Sequence, residues 1–314
     1  MPGNKEISMK AEYKEMLKNC TLCPRMCGAD RLAGKKGVCK ADGRLTAARA
    51  ALYMWEEPCI SGEKGSGTVF FSGCSLRCVF CQNRAIAGME AGKEIEAERL
   101  SEIFLELQDK GAANINLVTA CHFVPQIIEA LDMARASGLK LPVVYNSGGY
   151  ENTETLKMLK GYVDIYLPDY KYHDPALAAR FSHAPDYPER AREAIREMVS
   201  ATGECIFDEK GYLLRGTVVR HLILPGHVKN SLECLTWLYE TFGDKIYISI
   251  MNQYTPLLSC DECTGYPELA RRVTKREYER VLDHALELGI TNGFFQEGDA
   301  AEESFIPAFD NEGI

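Results

Sequence analysis

From residue 67 onward, short apolar runs rich in Val, Ile, Tyr and Phe alternate with longer amphipathic stretches, and that alternation leaves few folds open. The β-like runs are TVFFSG (68–73), NINLVT (114–119), LPVVYN (141–146), VDIYLPD (163–169), LRGTVVRHLIL (214–224), KIYISIM (245–251) and a short NGFF (292–295). Between them lie helical segments such as AERLSEIFLELQDKG and VPQIIEALDMARASG, each closing on a glycine that can cap the last turn. Strands joined by helices pair in parallel, so the expected fold class is α/β. About six such units fit a partial (β/α)6 TIM-like barrel better than a two-layer fold. The expected division is a cysteine-rich, loop-rich N-terminal segment over residues 1–62, a barrel over 63–300 and a tail over 301–314.

A barrel of this kind carries its chemistry where strands end and loops begin. Four such places hold polar or thiol residues: Cys74 onward after the first run, Thr119 to His122 after the second, Asn146 to Gly149 after the third, and Asp169 to Lys171 after the fourth. All are expected to face one mouth.

A formal net charge of −9 sets the chain against nucleic-acid phosphates and anionic lipid, so neither nucleic acid nor membrane is an expected partner. The first residues contain no apolar signal core, and no uncharged run reaches membrane-spanning length, which points to a cytoplasmic protein. The glycine-rich SGEKGSGT (61–68) lacks the Gly-Lys-Ser/Thr ending of a phosphate loop and precedes a strand, so nucleotide hydrolysis is set aside.

Thirteen cysteines in such a chain suggest metal ligation rather than disulfides, since a 46% hydrophobic composition needs no staples. Cys20, Cys23, Cys27 and Cys39 form one group and Cys74, Cys78 and Cys81 a second. The first has four thiols, enough to close a zinc site or saturate an iron–sulfur cluster, and is expected to hold its segment folded or relay electrons. The second has three in GCSLRCVFCQN, which suits an iron–sulfur cluster with one iron left open, or zinc with a distant fourth ligand. Cys59, Cys121, Cys205 and Cys234 are expected to be small buried hydrophobes, and Cys260 and Cys263 incidental exposed thiols.

Cys-x3-Cys-x2-Cys after the first barrel strand, with Phe80 just before the last cysteine, resembles the radical S-adenosylmethionine (SAM) superfamily. The stretches FFSGCSLRCVFCQN, NINLVTACHFVPQI, YNSGGYE, DIYLPDYKY and VVRHLILPGH resemble its pyruvate formate-lyase activating enzyme-like subgroup, the divergent relatives with an N-terminal cysteine segment. The resemblance implies that Cys74, Cys78 and Cys81 hold a [4Fe-4S] cluster whose open iron takes the amino and carboxylate groups of SAM. Reductive cleavage then yields a 5′-deoxyadenosyl radical that abstracts hydrogen. It implies a glycyl radical protein or another peptide as partner, with a small molecule as the alternative substrate, and a flavodoxin or ferredoxin-type reductant.

The same resemblance places Phe80 near the adenine and gives Thr119 or His122 the methionine amino group, where many members have Gly-Gly-Glu. His122 reads equally as a helix-entry residue bonded to backbone. Asn146 and Ser147 stand where activating enzymes have Asp-Thr, suited to the ribose or methionine end. Asp169 and Lys171 match an Asp-Leu-Lys and, at i and i+2 on an extended segment, point the same way. Arg220 lies within a strand where an unpaired guanidinium is costly to bury, which an inward contact to the methionine carboxylate explains. Alternation then turns His221 outward.

Overall fold

The computed structural model describes residues 10–257, 264–295 and 307–314; Cys260 and Cys263 lie outside them. The chain opens with α1 (Ala11–Lys18), β1 (Thr46–Tyr53) and the short α2 (Pro58–Ser61), then enters the barrel at β2 (Ser66–Phe71). Next come α3 (Arg84–Ala87), the two-residue β3 (Lys93–Glu94), α4 (Ala97–Asp109), β4 (Ile115–Val118), α5 (Val124–Ala136) and β5 (Val143–Ser147). The second half runs α6 (Thr153–Met158), β6 (Ile165–Pro168), α7 (Pro175–Ser182), α8 (Tyr187–Thr202), β7 (Ile206–Phe207), β8 (Leu213–Leu222), α9 (Val228–Phe242), β9 (Tyr247–Met251), α10 (Lys275–Leu288) and β10 (Gly293–Phe295).

Every expected β-run is a strand. Among the described residues, β2, β4, β5, β6, β8, β9 and β10 pair in parallel in chain order, an arc wrapped by the intervening helices. β2, β4, β5 and β6 are buried along their whole length, as parallel strands covered on both faces must be. Gly111 and Gly138 take φ of +85° and +105° just past α4 and α5, the conformation for which glycine was expected there. A capping box closes the start of α10, with Thr274 and Glu277 exchanging side-chain and backbone bonds.

The N-terminal segment contains one element its composition hides. β1 pairs antiparallel with β2 and adds a strand to the barrel sheet, and the backbone at Glu312 and Asn311 bonds the free side of β1 at Ala50 and Ala48. Its sequence, TAARAALY, is alanine-rich and reads as helix or loop; the neighbouring strand overrides that propensity.

His221 does point away from the barrel interior, yet it is buried. Its Nδ1 contacts the Tyr170 carbonyl at 2.7 Å and its Nε2 the Ser231 hydroxyl at 2.9 Å, beneath α9. Burial pushes its pKa down to about 4. Between that value and its ordinary 6.5 the unfolded chain binds a proton that the folded chain does not, so stability falls as pH drops through this window. The full loss is roughly 3 kcal/mol. Urea unfolding of wild type and His221→Gln at pH 7 and pH 4.5 should show a clearly smaller acid loss in the variant.

Candidate active site

The carboxyl ends of β2, β4, β5, β6 and β8 open onto one cavity of about 510 Å³. Cys74, Cys78, Cys81, Phe80, Thr119, His122, Asn146, Ser147, Asp169, Lys171 and Arg220 all line it, as expected from their places at strand ends. The four N-terminal cysteines lie outside that lining.

The thiol loop is set by Gly73, with φ +95°. A Cβ there would lie 2.9 Å from both the Cys39 carbonyl oxygen and His122 Nε2, so only glycine lets the loop close against the N-terminal segment. Ser182 Oγ lies 2.9 Å from Cys78 Sγ. Burial pushes the Cys78 thiol up while the Lys171 ammonium pulls it down. Burial, with Cys78 and Cys74 adding to it, raises Cys81 to about 12. Among the described residues, no three His, Cys, Asp or Glu side chains are drawn in tightly enough to grip a single ion. The donor chemistry nonetheless fits an iron–sulfur group: three soft sulfurs from one loop, a neighbouring cation to offset thiolate charge, and an open cavity beyond them.

Phe80 is buried and packs edge-on against Phe181 and Tyr254, each with ring centroids 6.3 Å away, so it is both a core aromatic and a cavity wall. Thr119 holds φ +60°, a sparsely populated conformation for a β-branched residue, and its amide bonds the Asn146 carbonyl. His122 is buried with Nε2 donating to the Ser72 carbonyl at 2.7 Å. Burial and then the Arg31 cation push its pKa down to about 3, so the ring is neutral and that nitrogen is spent on backbone. Ser147 Oγ accepts from the Gly149 amide at 3.2 Å.

Gly149 itself is fixed by geometry, since with φ +76° its Cβ would meet the Asp169 carbonyl at 2.1 Å. Gly149→Ala is expected to cost roughly 2 to 4 kcal/mol, because strain and collision act together, with a matching drop in urea midpoint.

At the cavity floor, Arg220 meets the chain's own acids. Its Nε donates to Asp169 Oδ1 at 2.9 Å, one terminal nitrogen to Glu56 Oε2 at 3.0 Å and the other to Asn146 Oδ1 at 2.6 Å. Asp169 also takes Lys171, whose burial matches its own. Burial opposes the Asp169 charge, yet Lys171 and Arg220 together hold its carboxyl below the ordinary range. The expected free bidentate face of Arg220 is therefore engaged already, because a guanidinium that stays charged in a buried strand must be balanced from within.

Glu56 is the residue that sequence reading missed. It precedes α2, and its Oε1 accepts from Asn116 at 3.1 Å and Asn146 at 3.0 Å. Burial pushes its pKa up to about 7 against the pull of Arg220. Beside it, Glu57 Oε2 and the Asn116 side-chain oxygen are buried without a hydrogen-bond partner among the described residues. The available signal was a pair of adjacent carboxylates in the otherwise uncharged ALYMWEEPC, together with Asn116 inside a buried strand.

A family model described as Radical SAM superfamily matches residues 68–235, which carry both the thiol loop and the four strand ends after it. An uncharacterized protein of Methanocaldococcus jannaschii is 28% identical over 287 residues, covering 89% of this chain and 78% of that protein. The pyruvate formate-lyase-activating enzyme of Clostridium pasteurianum is 31% identical over 111 residues, 34% of this chain and 45% of that protein. Among solved structures, Streptococcus suis SuiB bound to precursor peptide SuiA aligns with a TM-score of 0.47 at 17% identity, over 71% of this chain and 46% of that one.

Proposed function

The chain belongs to the Radical SAM superfamily, whose fold implies a [4Fe-4S] cluster and S-adenosylmethionine, and we propose that Cys74, Cys78 and Cys81 hold that cluster for hydrogen abstraction from a protein or peptide substrate. The observation that carries the reading is three cysteines, not four, on one loop at the rim of a cavity edged by the next strand ends. Held there by Cys74, Cys78 and Cys81, the cluster would supply the one electron needed for reductive cleavage of S-adenosylmethionine.

The chain's own side chains do the rest. Lys171 offsets the charge of the Cys78 thiolate, and Asp169 and Arg220 fix Lys171 and Asn146 in place. Phe80 lines the cavity and would wall it for a flat base, and the backbone near Thr119, with Ser147, would take the polar end of the cofactor.

Within this reading the favoured substrate is a glycyl radical protein, supported by the stretch similar to a pyruvate formate-lyase-activating enzyme. The test is anaerobic incubation with S-adenosylmethionine, a reductant and candidate glycyl radical proteins, followed by electron paramagnetic resonance. A protein-centred radical on a candidate supports activation. Cofactor cleavage without such a radical moves the assignment to another peptide or a small-molecule substrate.

A further inference from the structure

The short helix α2 closes the amino end of the barrel. Its Cys59 and Ile60 pack with Val144, Ile165, Leu167 and Val218 of the barrel strands, and the turn before it delivers Glu56 and Glu57 to the cavity lining. The thiols reach the same cavity from the other end. Tyr53, at the end of β1, pairs with Ser66 at the start of β2, whereas Cys74 lies beyond the end of β2. The strand from Ser66 to Phe71 spans roughly 17 Å, so the acid turn and the thiol loop enter from opposite ends.

The floor carries more acid than it balances. Arg220 and Lys171 are the cations there, against the carboxylates of Glu56, Glu57 and Asp169. Asp169 takes Lys171 and the Arg220 Nε, and Glu56 takes Arg220 at 3.0 Å. Glu57 is left over. It is 8% exposed, and its Oε2 is buried without a hydrogen-bond partner among the described residues. A buried carboxylate is costly until a cation or N–H donors meet it. Burial, with the Glu57 charge adding to it against the pull of Arg220, pushes Glu56 up to about 7, so near neutral pH a proton relieves part of the excess.

The wall beside the acids is aromatic. Trp55, 59% exposed, directly precedes them, and Phe294 of β10 packs against the cluster that holds Cys59 and Ile60; both line the cavity. Flat rings over a buried carboxylate suit a long apolar stem that ends in an N–H-bearing cation. The sulfonium of S-adenosylmethionine has no N–H to donate and does not meet that need.

We propose that Glu57 recognises a basic side chain, arginine or lysine, of the peptide substrate, seated between the acid turn and the aromatic wall. The peptide is the substrate class of the radical reading above, on which this assignment rests for its purpose. Anchored there, the basic residue would fix which neighbouring carbon of the peptide turns toward the thiol end.

The test uses the full chain, reconstituted anaerobically and left unreduced, with n-butylguanidinium as probe. Of the two tryptophans, Trp237 lies among Tyr170 and Phe242 outside the cavity lining, so Trp55 fluorescence reports the site. Butylguanidinium should change it saturably, its neutral counterpart n-butylurea should not, and Trp55→Phe should abolish the signal. Glu57→Gln should weaken binding by about 10-fold or more. The same variant should raise the urea midpoint, because an unbalanced buried charge is gone, which separates lost recognition from lost folding.

The charged or titratable groups that face Glu56 are Glu57 beside it, Tyr53 on β1, Asp169 after β6 and Arg220 on β8. A cation brought among them displaces the Glu56 proton, so affinity should rise about 3-fold or more from pH 6 to pH 8, and Glu56→Gln should flatten that dependence. Equal binding of butylurea, unchanged affinity in Glu57→Gln, or a Trp55 response to S-adenosylmethionine alone that Glu57→Gln abolishes would each overturn the proposal. Butylguanidinium binding without any 5′-deoxyadenosine formation would sink the radical reading and leave the subsite standing, whereas cofactor cleavage without such binding would do the reverse.

Discussion

Cys78→Ala is expected to empty the barrel site of iron and abolish cleavage of S-adenosylmethionine, whereas Cys27→Ala spares both the barrel iron and dithionite-driven cleavage. The effect is large because the loop has three sulfurs, and Cys121, the cysteine that follows β4, spends its thiol on the Leu22 carbonyl. Cys78 is also the thiol that Ser182 contacts and whose charge Lys171 favours, so its loss removes a ligand that the site's own groups support. Iron and sulfide analysis after anaerobic reconstitution, beside product assay, separates the variants. Full cleavage activity in Cys78→Ala would contradict the site assignment.

Arg220→Met is expected to cost about 3 to 5 kcal/mol, because it removes one cation from between two buried carboxylates. Asp169 keeps Lys171, but Glu56 keeps only the amide donors of Asn116 and Asn146. The cost falls as pH is lowered. Glu56 is already pushed up to about 7, and without Arg220 it rises further, so at pH 6 the variant relieves its buried charge by taking a proton. Urea unfolding at pH 6 and pH 8 should therefore show the larger deficit at pH 8. Glu56→Gln combined with Arg220→Met should recover part of the loss, with a coupling of about 1 to 3 kcal/mol across the double-mutant cycle. A deficit below about 1 kcal/mol at pH 8 would show that the network does not balance Arg220.

The barrel strands were legible because each is a short β-branched or aromatic run bounded by turn residues, and a parallel strand buried on both faces leaves that mark in composition. Their carboxyl ends located the site, and the residues there do share one cavity. β1 was not legible, since TAARAALY becomes a strand through pairing with β2 rather than through its own preference. Glu56 was hidden for a related reason. It lies far along the chain from Asn116, Asn146 and Arg220, and only the closed sheet brings the four together. Arg220 was expected to point inward because an unpaired guanidinium is costly to bury, but that cost does not say which partners wait there. His221 shows the converse, because outward on a barrel strand means beneath a helix, and a buried imidazole results.

The central claim is that this cavity cleaves S-adenosylmethionine reductively, and the most direct measurement is product formation by the reconstituted wild-type chain. After anaerobic reconstitution with iron and sulfide and reduction by dithionite, incubation with S-adenosylmethionine should give 5′-deoxyadenosine and methionine in equal amounts, detected by chromatography. Neither product from a protein that carries its full iron, under strong reduction, would contradict the account and leave a non-catalytic iron–sulfur scaffold in its place.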